Sequence, residues 1–229
     1  MYQLKKRLKK FLGLLPWQED EAGQQKQIDS YFKRNEIKKI QFGCGPNYLA
    51  DWLNTDICKS SDDVVYMDIT RQLPLPAGTV HFITSEHLLE HITFCKAREF
   101  LKECFRVLKP GGIIRITTPD LETVIDLYTN QKEDARAYVD HIVRHFIPGV
   151  TYNENVFVIN NAFRNWGHQF LYDRSTLVHL LEETGYIAIE QVLPGESKHP
   201  LLQKIDFRDQ SGFKKINEFE VMVFEAARP

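Results

Sequence analysis

Short apolar runs alternate with amphipathic segments along most of the chain. Four of these runs are typical of buried strands, at residues 37–42, 53–57, 64–67 and 80–84. From residue 94 to residue 108 the apolar positions recur three and four residues apart, which predicts an amphipathic helix. Pro110, Gly111 and Gly112 should end that helix, and the β-branched run at residues 113–117 should form a central strand. This alternation predicts a parallel sheet covered by helices on both faces.

The C-terminal part of the chain changes this rhythm. A helix predicted for residues 174–183 is followed by Gly185, at the expected position of a left-handed helix cap. Residues 186–192 and 218–226 are then two apolar strands with no obvious helix between them. We expect these two strands to form an antiparallel edge on the otherwise parallel sheet.

The first 27 residues differ in charge from the remainder. Five Lys and Arg residues lie between positions 5 and 10, so the net charge of −2 becomes −2 − 5 = −7 without them. The apolar residues at positions 4, 8, 11, 12 and 15 fall on one helical face opposite these lysines. We therefore divide the chain into a basic amphipathic leader helix with a polar linker, residues 1–27, and one domain, residues 28–229. Residues 1–16 suit an anionic membrane surface, a protein partner, or packing against their own domain.

The composition is that of an ordinary globular protein, with 43% apolar and 26% charged residues. Outside the leader there is no basic patch interleaved with aromatic residues, so we expect no nucleic-acid partner. The four cysteines show no CxxC pairing and no dense spacing, which favours a reducing compartment. No apolar run reaches the roughly 20 residues that a membrane span needs. We expect a cytoplasmic protein, peripheral to a membrane if the leader lies on one.

A glycine turn directly follows the first predicted strand. Gly43 and Gly45 flank Cys44, and glycine lets the backbone turn tightly and approach a ligand closely. Open α/β sheets bind their ligands at such carboxyl ends of strands. A phosphate-binding loop is disfavoured because neither GxGxxG nor a Lys-Ser/Thr pair is present. An ordinary strand-ending turn would also explain these two glycines taken alone.

Two aspartates follow at the ends of the next two predicted strands. Asp56 is placed to accept hydrogen bonds from ribose hydroxyls, and Asp68 is placed to accept one from an adenine amine. Each aspartate taken singly is equally typical of a helix N-cap or a turn. Because both aspartates follow the glycine turn in sequence, each at the end of a predicted strand, together they favour an adenosyl ligand.

Three longer segments resemble the class I S-adenosylmethionine-dependent methyltransferases, in the small-molecule group called type 11. They read KKIQFGCGPNYLADWLNTDI, VYMDITRQLPLPAGTVHFITSEHLLEH and CFRVLKPGGIIRITTPDL, and cover about residues 37–121. A weaker match, GHQFLYDRSTLVHLLEETGY, extends the resemblance to most of the chain after the leader. The resemblance implies a Rossmann-like three-layer α/β sandwich. Its sheet would be seven-stranded and mostly parallel, with an antiparallel C-terminal strand and helices on both faces.

The resemblance also implies S-adenosyl-L-methionine as cofactor and S-adenosyl-L-homocysteine as product. The two glycines would lie beneath the methionine part, the first aspartate and Ile57 would contact ribose and adenine, and Ser85 would lie beside the methionine. Asn47 departs from the family loop, which usually has a further small residue there. The residues expected to bind the cofactor are Phe42, Gly43, Cys44, Gly45, Asp56, Ile57, Met67, Asp68, Ile69 and Ser85.

A hydroxyl acceptor would need a general base, for which histidine is the usual side chain near neutral pH. The candidate catalytic residues are His87 and His91, which follow the fourth predicted strand, and His168, which precedes the last predicted helix. For His91 a purely structural role at the start of a helix is the stronger alternative.

The segment at about residues 138–172 is longer than a bare connection and rich in aromatic residues. We expect it to form a cap-like insertion that covers the cofactor cleft and shapes the acceptor pocket, unless its rings simply form a core of their own. His141 and His145 stand there four residues apart, a spacing that can chelate a metal. Because no Cys or acid cluster accompanies them, we expect no metal.

The sequence therefore predicts a methyltransferase that acts on a small-molecule acceptor, with a sugar or glycan-precursor hydroxyl favoured by analogy. One alternative is a catalytically inactive, methyltransferase-like binding subunit, against which the intact glycine turn and both aspartates argue. Another is a different transferase with the same cofactor, such as an aminopropyl transferase. We see no acidic cluster in the sequence that would suit a polyamine.

Overall fold

A computed structural model describes residues 21–129, 132–206 and 214–229 of the chain. The predicted leader at residues 1–16 and the start of the predicted linker lie outside these ranges. None of the helices within them is long and apolar enough to cross a bilayer.

Seven strands form one sheet: β1 Lys39–Phe42, β2 Leu53–Asp56, β3 Val65–Tyr66, β4 Val80–Glu86, β5 Leu108–Pro119, β6 Ile187–Val192 and β7 Val221–Ala227. The α-helices of the described ranges are α1 Glu21–Arg34, α2 Phe94–Val107, α3 Leu121–Asp126, α4 Glu133–Phe146, α5 Asn155–Arg164, α6 Arg174–Thr184 and α7 Lys214–Glu220. Two 3₁₀ turns lie at Leu89–His91 and Pro200–Leu202.

The strand order is β3-β2-β1-β4-β5-β7-β6. Strands β1 to β5 are parallel, and β7 runs antiparallel to both of its neighbours, β5 and β6. This confirms the Rossmann-like α/β fold with its antiparallel C-terminal strand. The chain order reverses direction between β1 and β4, so the carboxyl ends of these two strands border the crevice where such sheets bind ligands.

Helix α2 shows how the apolar pattern builds the core. Thr93 caps it by accepting a hydrogen bond from the Lys96 backbone N–H, and five residues of one face are buried. Phe100 on that face meets Phe42 of β1 edge-on, with ring centroids 5.2 Å apart. The buried face of the helix consists of Ala97, Phe100, Leu101, Cys104 and Val107.

The prediction that the Pro-Gly-Gly run lies between helix and strand was wrong, because β5 already begins at Leu108. Tertiary pairing explains the difference. Gly111 N–H donates to the Arg228 carbonyl and Arg228 N–H donates to the Gly112 carbonyl, so both glycines are paired with the C-terminal segment. A Cβ on Gly112 would lie 3.0 Å from the Val80 carbonyl oxygen, so the neighbouring strand leaves room only for glycine.

Two other predicted boundaries were also wrong. Residues 21–27 of the predicted linker are helical, and Gln24 in α1 donates a side-chain hydrogen bond of 2.6 Å to the Tyr66 carbonyl. At the other end, residues 218–220 belong to α7 and the last strand starts only at Val221. The helix cap at Gly185 is confirmed, with φ of 103°.

Three helices, α3 to α5, lie between β5 and α6, and the insertion predicted at about residues 138–172 contains α5 and the larger part of α4. Helix α4 begins at Glu133, earlier than the predicted boundary of 138. The insertion has a small core of its own, to which Ile216 and Phe219 of α7 add apolar surface. That core consists of Leu127, Ala135, Tyr138, Val139, Ile142, Val143 and Val158.

A buried ion network crosses the antiparallel half of the sheet. Arg115 of β5 has 0% of its surface exposed, and its two terminal nitrogens lie 2.6 Å from Asp206 and 2.5 Å from Glu225. The same guanidinium donates to the Glu196 carbonyl, and Thr117 donates its hydroxyl to Asp206. These contacts join β5, β7 and the loop after β6 around one cation.

Replacing Arg115 by methionine should lower the free energy of unfolding by about 3–5 kcal/mol, because two buried carboxylates would lose their counterion. Urea denaturation measures the change. Arg98→Met is the matched control, since Arg98 pairs with Glu183 at 3.3 Å on the surface and should contribute less than about 1 kcal/mol. Equal losses in the two variants would contradict this assignment.

Candidate functional site

The glycine turn after β1 is shaped by two left-handed residues. Gly43 has φ of +66° and Gly45 has φ of +55°, values that favour glycine. A Cβ on Gly43 would lie 2.8 Å from a Leu88 methyl carbon, whereas a Cβ on Gly45 would meet no atom within 4 Å. Cys44 is buried between them, and burial followed by the charge of Asp56 raises the pKa of its thiol to about 12.

Asp56 at the end of β2 fastens this turn. One carboxylate oxygen accepts a hydrogen bond of 2.9 Å from the Gly45 N–H, and the other accepts one of 2.6 Å from the Cys58 N–H. Each oxygen keeps a second lone pair, so the carboxylate can hold the turn and still accept from a ligand. This double attachment to the backbone was not foreseen from the sequence.

The other predicted cofactor residues are arranged less uniformly. Asp68 accepts hydrogen bonds from the backbone and hydroxyl of Thr70 and lies 3.2 Å from Arg71, as a turn-forming aspartate does. Ile57 is 55% exposed beside the turn, which leaves its side chain accessible to a ligand. Three further residues of the predicted cofactor set have their side chains in the main hydrophobic core: Phe42, Met67 and Ile69.

Ser85 of β4 lies directly opposite Phe42 of β1 in the sheet register. Its hydroxyl is buried and has no hydrogen-bond partner among the residues that the structure describes. Three features together fit an adenosyl ligand with an amino-acid end. They are the unpaired hydroxyl of Ser85, the open space at Gly45 and the exposed side chain of Ile57.

His87 follows β4 in a strained backbone conformation, with φ of +49°. Its N–H donates a hydrogen bond of 2.9 Å to the Thr117 carbonyl, which ties this conformation to β5. The ring nitrogen Nδ1 lies 3.2 Å from Glu90 Oε1, and Nε2 lies 3.9 Å from Glu220 Oε1. Nε2 is buried and has no hydrogen-bond partner in the described part of the chain.

Glu90 is the most deeply buried acid of this region, with 0% exposure. Its Oε2 accepts a hydrogen bond of 3.1 Å from the Thr118 hydroxyl of β5. Burial alone would raise the pKa of this carboxyl, but the neighbouring His87 and His91 lower it more, so the net direction is downward. Burial and then the charge of Glu90 raise the pKa of Tyr172, whose buried hydroxyl has no described partner.

The structure brings all three predicted histidines around Glu90. His91 follows it in the 3₁₀ turn, and the His168 ring centroid is 5.1 Å from that of His91. Gln169 fixes this approach, because its backbone N–H donates to the Glu90 carbonyl at 2.7 Å and its side-chain amide donates to the His91 carbonyl at 2.7 Å. Glu90 was not among the predicted site residues, although it lies in the LEH segment that carries part of the resemblance.

A cavity of about 610 Å³ lies between α3, α4 and α7. None of the predicted cofactor residues lines it. Glu220 connects this cavity to the histidine cluster. It directly follows the lining residues Glu218 and Phe219, and its carbonyl accepts a hydrogen bond from the Asp120 N–H. Acidic side chains dominate the lining, contrary to the expectation that the chain has no acidic cluster: Asp120, Glu122, Asp126, Asp134 and Glu218.

His141 and His145 do face each other on α4, with ring centroids 4.4 Å apart. Within the described residues, they do not belong to any group of three side chains arranged to hold a metal ion. The one group of this kind found there is Glu90, His91 and His168.

Comparison with known proteins agrees with this geometry. Residues 40–116 match a family model described as a methyltransferase domain. Over 99 residues the chain is 29% identical to a Mycolicibacterium smegmatis protein named probable S-adenosylmethionine-dependent methyltransferase, covering 35% of this chain and 37% of that protein. The chain thus spans little more than a third of the length of this relative.

The fold is similar to that of a solved structure described as a SAM-dependent methyltransferase from Archaeoglobus fulgidus. The TM-score is 0.50 and the sequence identity 16%, over 91% of this chain and 94% of the other. This likeness concerns the fold.

Replacing Asp56 by alanine should weaken S-adenosylmethionine binding at least about tenfold, because hydrogen bonds to a charged group contribute about 1.5–3 kcal/mol each. Isothermal titration calorimetry measures the affinity. Asp62→Ala is the control, since the Asp62 carboxylate is fully exposed just beyond the same loop and its loss should leave the affinity unchanged. Unchanged binding by Asp56→Ala would remove Asp56 from the site.

Proposed function

We propose that the chain, whose residues 40–116 match a methyltransferase-domain family model, transfers the methyl group of S-adenosylmethionine to a hydroxyl group of a small polyhydroxylated acceptor. A sugar or glycan precursor is the favoured acceptor class. The observation that carries the proposal is the buried His87–Glu90 pair at the carboxyl end of β4, with His87 Nε2 free of hydrogen bonds within the described structure.

A hydroxyl must lose its proton to attack a methyl group, and the His87–Glu90 pair suits this task. Nε2 accepts the proton while Nδ1–H faces the Glu90 carboxylate, which orients the ring and stabilises its protonated form. The left-handed backbone at His87 supports a functional assignment, because such strain in a non-glycine residue costs of order 1–3 kcal/mol and clusters at active sites.

S-adenosylmethionine, when bound, supplies an electrophilic methyl group on a sulfonium, so the protein mainly aligns the two reactants. Gly43 and Gly45 hold the methionine end and Asp56 holds the ribose. Ser85 Oγ, which has no described partner, is placed to donate to the polar end of the cofactor. These residues border the same strand ends as His87, which keeps the base close to the reacting atoms.

Aromatic side chains of the insertion support a sugar-like acceptor. Trp166 is 39% exposed, packs edge-on against Phe146 at 5.6 Å and lies 5.7 Å from the His168 ring. Tyr152 and Phe163 on the same insertion are also exposed. Exposed rings next to a polar cluster are suited to a ligand with apolar ring faces and hydroxyl edges.

A cationic amine is the second candidate acceptor, favoured by the acidic cavity between α3, α4 and α7. Carboxylates on its walls would attract an ammonium group and raise its local concentration. Transfer of an aminopropyl group from the decarboxylated form of the same cofactor would use the same cavity. The two candidate classes are separated by testing both kinds of acceptor with one donor.

Transfer of a labelled methyl group from S-adenosylmethionine to panels of monosaccharides, nucleotide sugars and polyamines tests the proposal. We expect turnover on a hydroxyl acceptor and a kcat about 10²–10⁴-fold lower in His87→Gln, with unchanged cofactor affinity.

His179→Gln is the matched control, because His179 is exposed on α6, away from the cluster. It should keep the native rate. Methyl transfer confined to polyamines would favour the amine candidate, and a native rate in His87→Gln would remove His87 as the base.

We further propose that the protein is cytoplasmic and that residues 1–16 attach it to an anionic membrane surface. The support is the sequence pattern, in which five basic residues at positions 5–10 are interspersed with apolar residues at the spacing of an amphipathic helix. Each basic residue near such a surface contributes about 1 kcal/mol.

The full chain should float with vesicles that contain phosphatidylserine and not with neutral phosphatidylcholine vesicles. Replacing Lys5, Lys6, Arg7, Lys9 and Lys10 by glutamine should reduce the bound fraction at least about 100-fold, by loss of about five such contributions. A chain without residues 1–16 that floats as well as the full chain would exclude this attachment.

A further inference from the structure

Three side chains near the strand ends have the donor set of a metal site. Glu90, His91 and His168 each offer one ligand atom, and these atoms all lie within 4.8 Å of one another. We propose that they bind one divalent first-row transition-metal ion. The inference is independent of the proposed acceptor and departs from the expectation that the chain holds no metal.

The main chain holds the ligands in place. Gln169, next to His168, bonds to the carbonyl oxygens of both Glu90 and His91. The Phe170 N–H also donates to the Glu90 carbonyl at 3.3 Å. A segment 78 residues away in sequence is therefore attached to the turn that carries the other two ligands, which limits the cost of ordering the site.

A hydrogen bond on its other ring nitrogen orients His168 as a ligand. His168 Nδ1 lies 2.7 Å from the Ala162 carbonyl, and because a carbonyl only accepts, this nitrogen donates and Nε2 keeps its lone pair. A carbonyl partner on the second ring nitrogen is the usual outer support of a metal-bound histidine.

Glu90 supplies the negative charge. Its carboxylate is fully buried, and within the described part of the chain no Lys or Arg forms an ion pair with it. Thr118 donates to one oxygen and His87 lies 3.2 Å from the other, so these neighbours can orient the carboxylate while a remaining lone pair binds the ion. A cation there would compensate a charge that is costly to bury.

The donor set indicates which ions are suitable. Two imidazoles and one carboxylate favour zinc, cobalt, iron or manganese over magnesium and calcium, which prefer oxygen ligands. Bonds of about 2.0–2.2 Å in a tetrahedral site place ligand atoms about 3.4 Å apart, so the side chains must approach one another by at most about 1.4 Å. Three protein ligands leave a coordination position open, as in catalytic rather than structural zinc sites.

Titration of untagged full-length protein with Co²⁺ tests the site, because cobalt bound to nitrogen and oxygen ligands absorbs visible light. We expect one equivalent to produce a saturable band that one equivalent of Zn²⁺ abolishes. His168→Ala should weaken Co²⁺ binding about 100-fold or more, since even loss of an outer partner costs 10–100-fold. His168→Gln retains the bulk of the side chain, and circular dichroism checks that each variant is folded.

His145→Ala is the matched control, because it removes a histidine from the other close pair without touching this cluster. It should bind Co²⁺ like the native protein. Absence of a stoichiometric band in the native protein would overturn the proposal, as would equal binding by a folded His168→Gln variant. A band lost in His145→Ala would assign the metal to α4 instead. None of these results depends on methyl transfer, so failure of the acceptor assignment and failure of the metal site remain distinct.

Discussion

The buried charge of Arg115 is the constraint on which the antiparallel half of the sheet depends. A guanidinium without access to water must keep its carboxylate partners, and here they come from β7 and from the loop after β6. The contact holds β7 against β5 with Val221 beside Pro119. That register places Glu220 at the strand ends, where its Oε1 lies 3.9 Å from His87 Nε2. A structural ion network in the sheet therefore determines which groups surround the histidine cluster.

The polar residues of the candidate site come from separate parts of the chain and meet because strand ends meet. The glycine turn follows β1 and its carboxylate ends β2, Ser85 lies in β4 with His87 directly after it, and β5 contributes Thr118. The insertion then supplies His168 through hydrogen bonds that Gln169 makes to the turn after β4. The candidate cofactor residues and the histidine cluster thus border one crevice, the first set carried by the sheet strands and the second completed by the insertion.

Sequence reasoning succeeded where the cause is local. The strand spacing, the glycine turn and the Gly185 cap follow from short patterns, and the structure has them. It failed where tertiary contacts override propensity, as in the Pro-Gly-Gly run that pairs with Arg228 and the polar start of α1 that bonds to Tyr66. Glu90 could not be predicted as a site residue, because the residues next to it in the sequence do not indicate that its side chain is buried. The proximity of His91 and His168 depends on hydrogen bonds across 78 residues, which no periodicity encodes.

The buried thiol of Cys44, at the centre of the glycine turn, has a consequence for how the protein withstands oxidation. Oxidants and alkylating agents attack the thiolate, and a pKa of about 12 leaves Cys44 almost entirely protonated in a cell. Cys104 is protected in the same way by complete burial, whereas Cys95 is exposed on the first turn of α2. Chemical damage to the thiols should therefore begin at Cys95, outside the glycine turn, and reach the partly buried Cys58 only later.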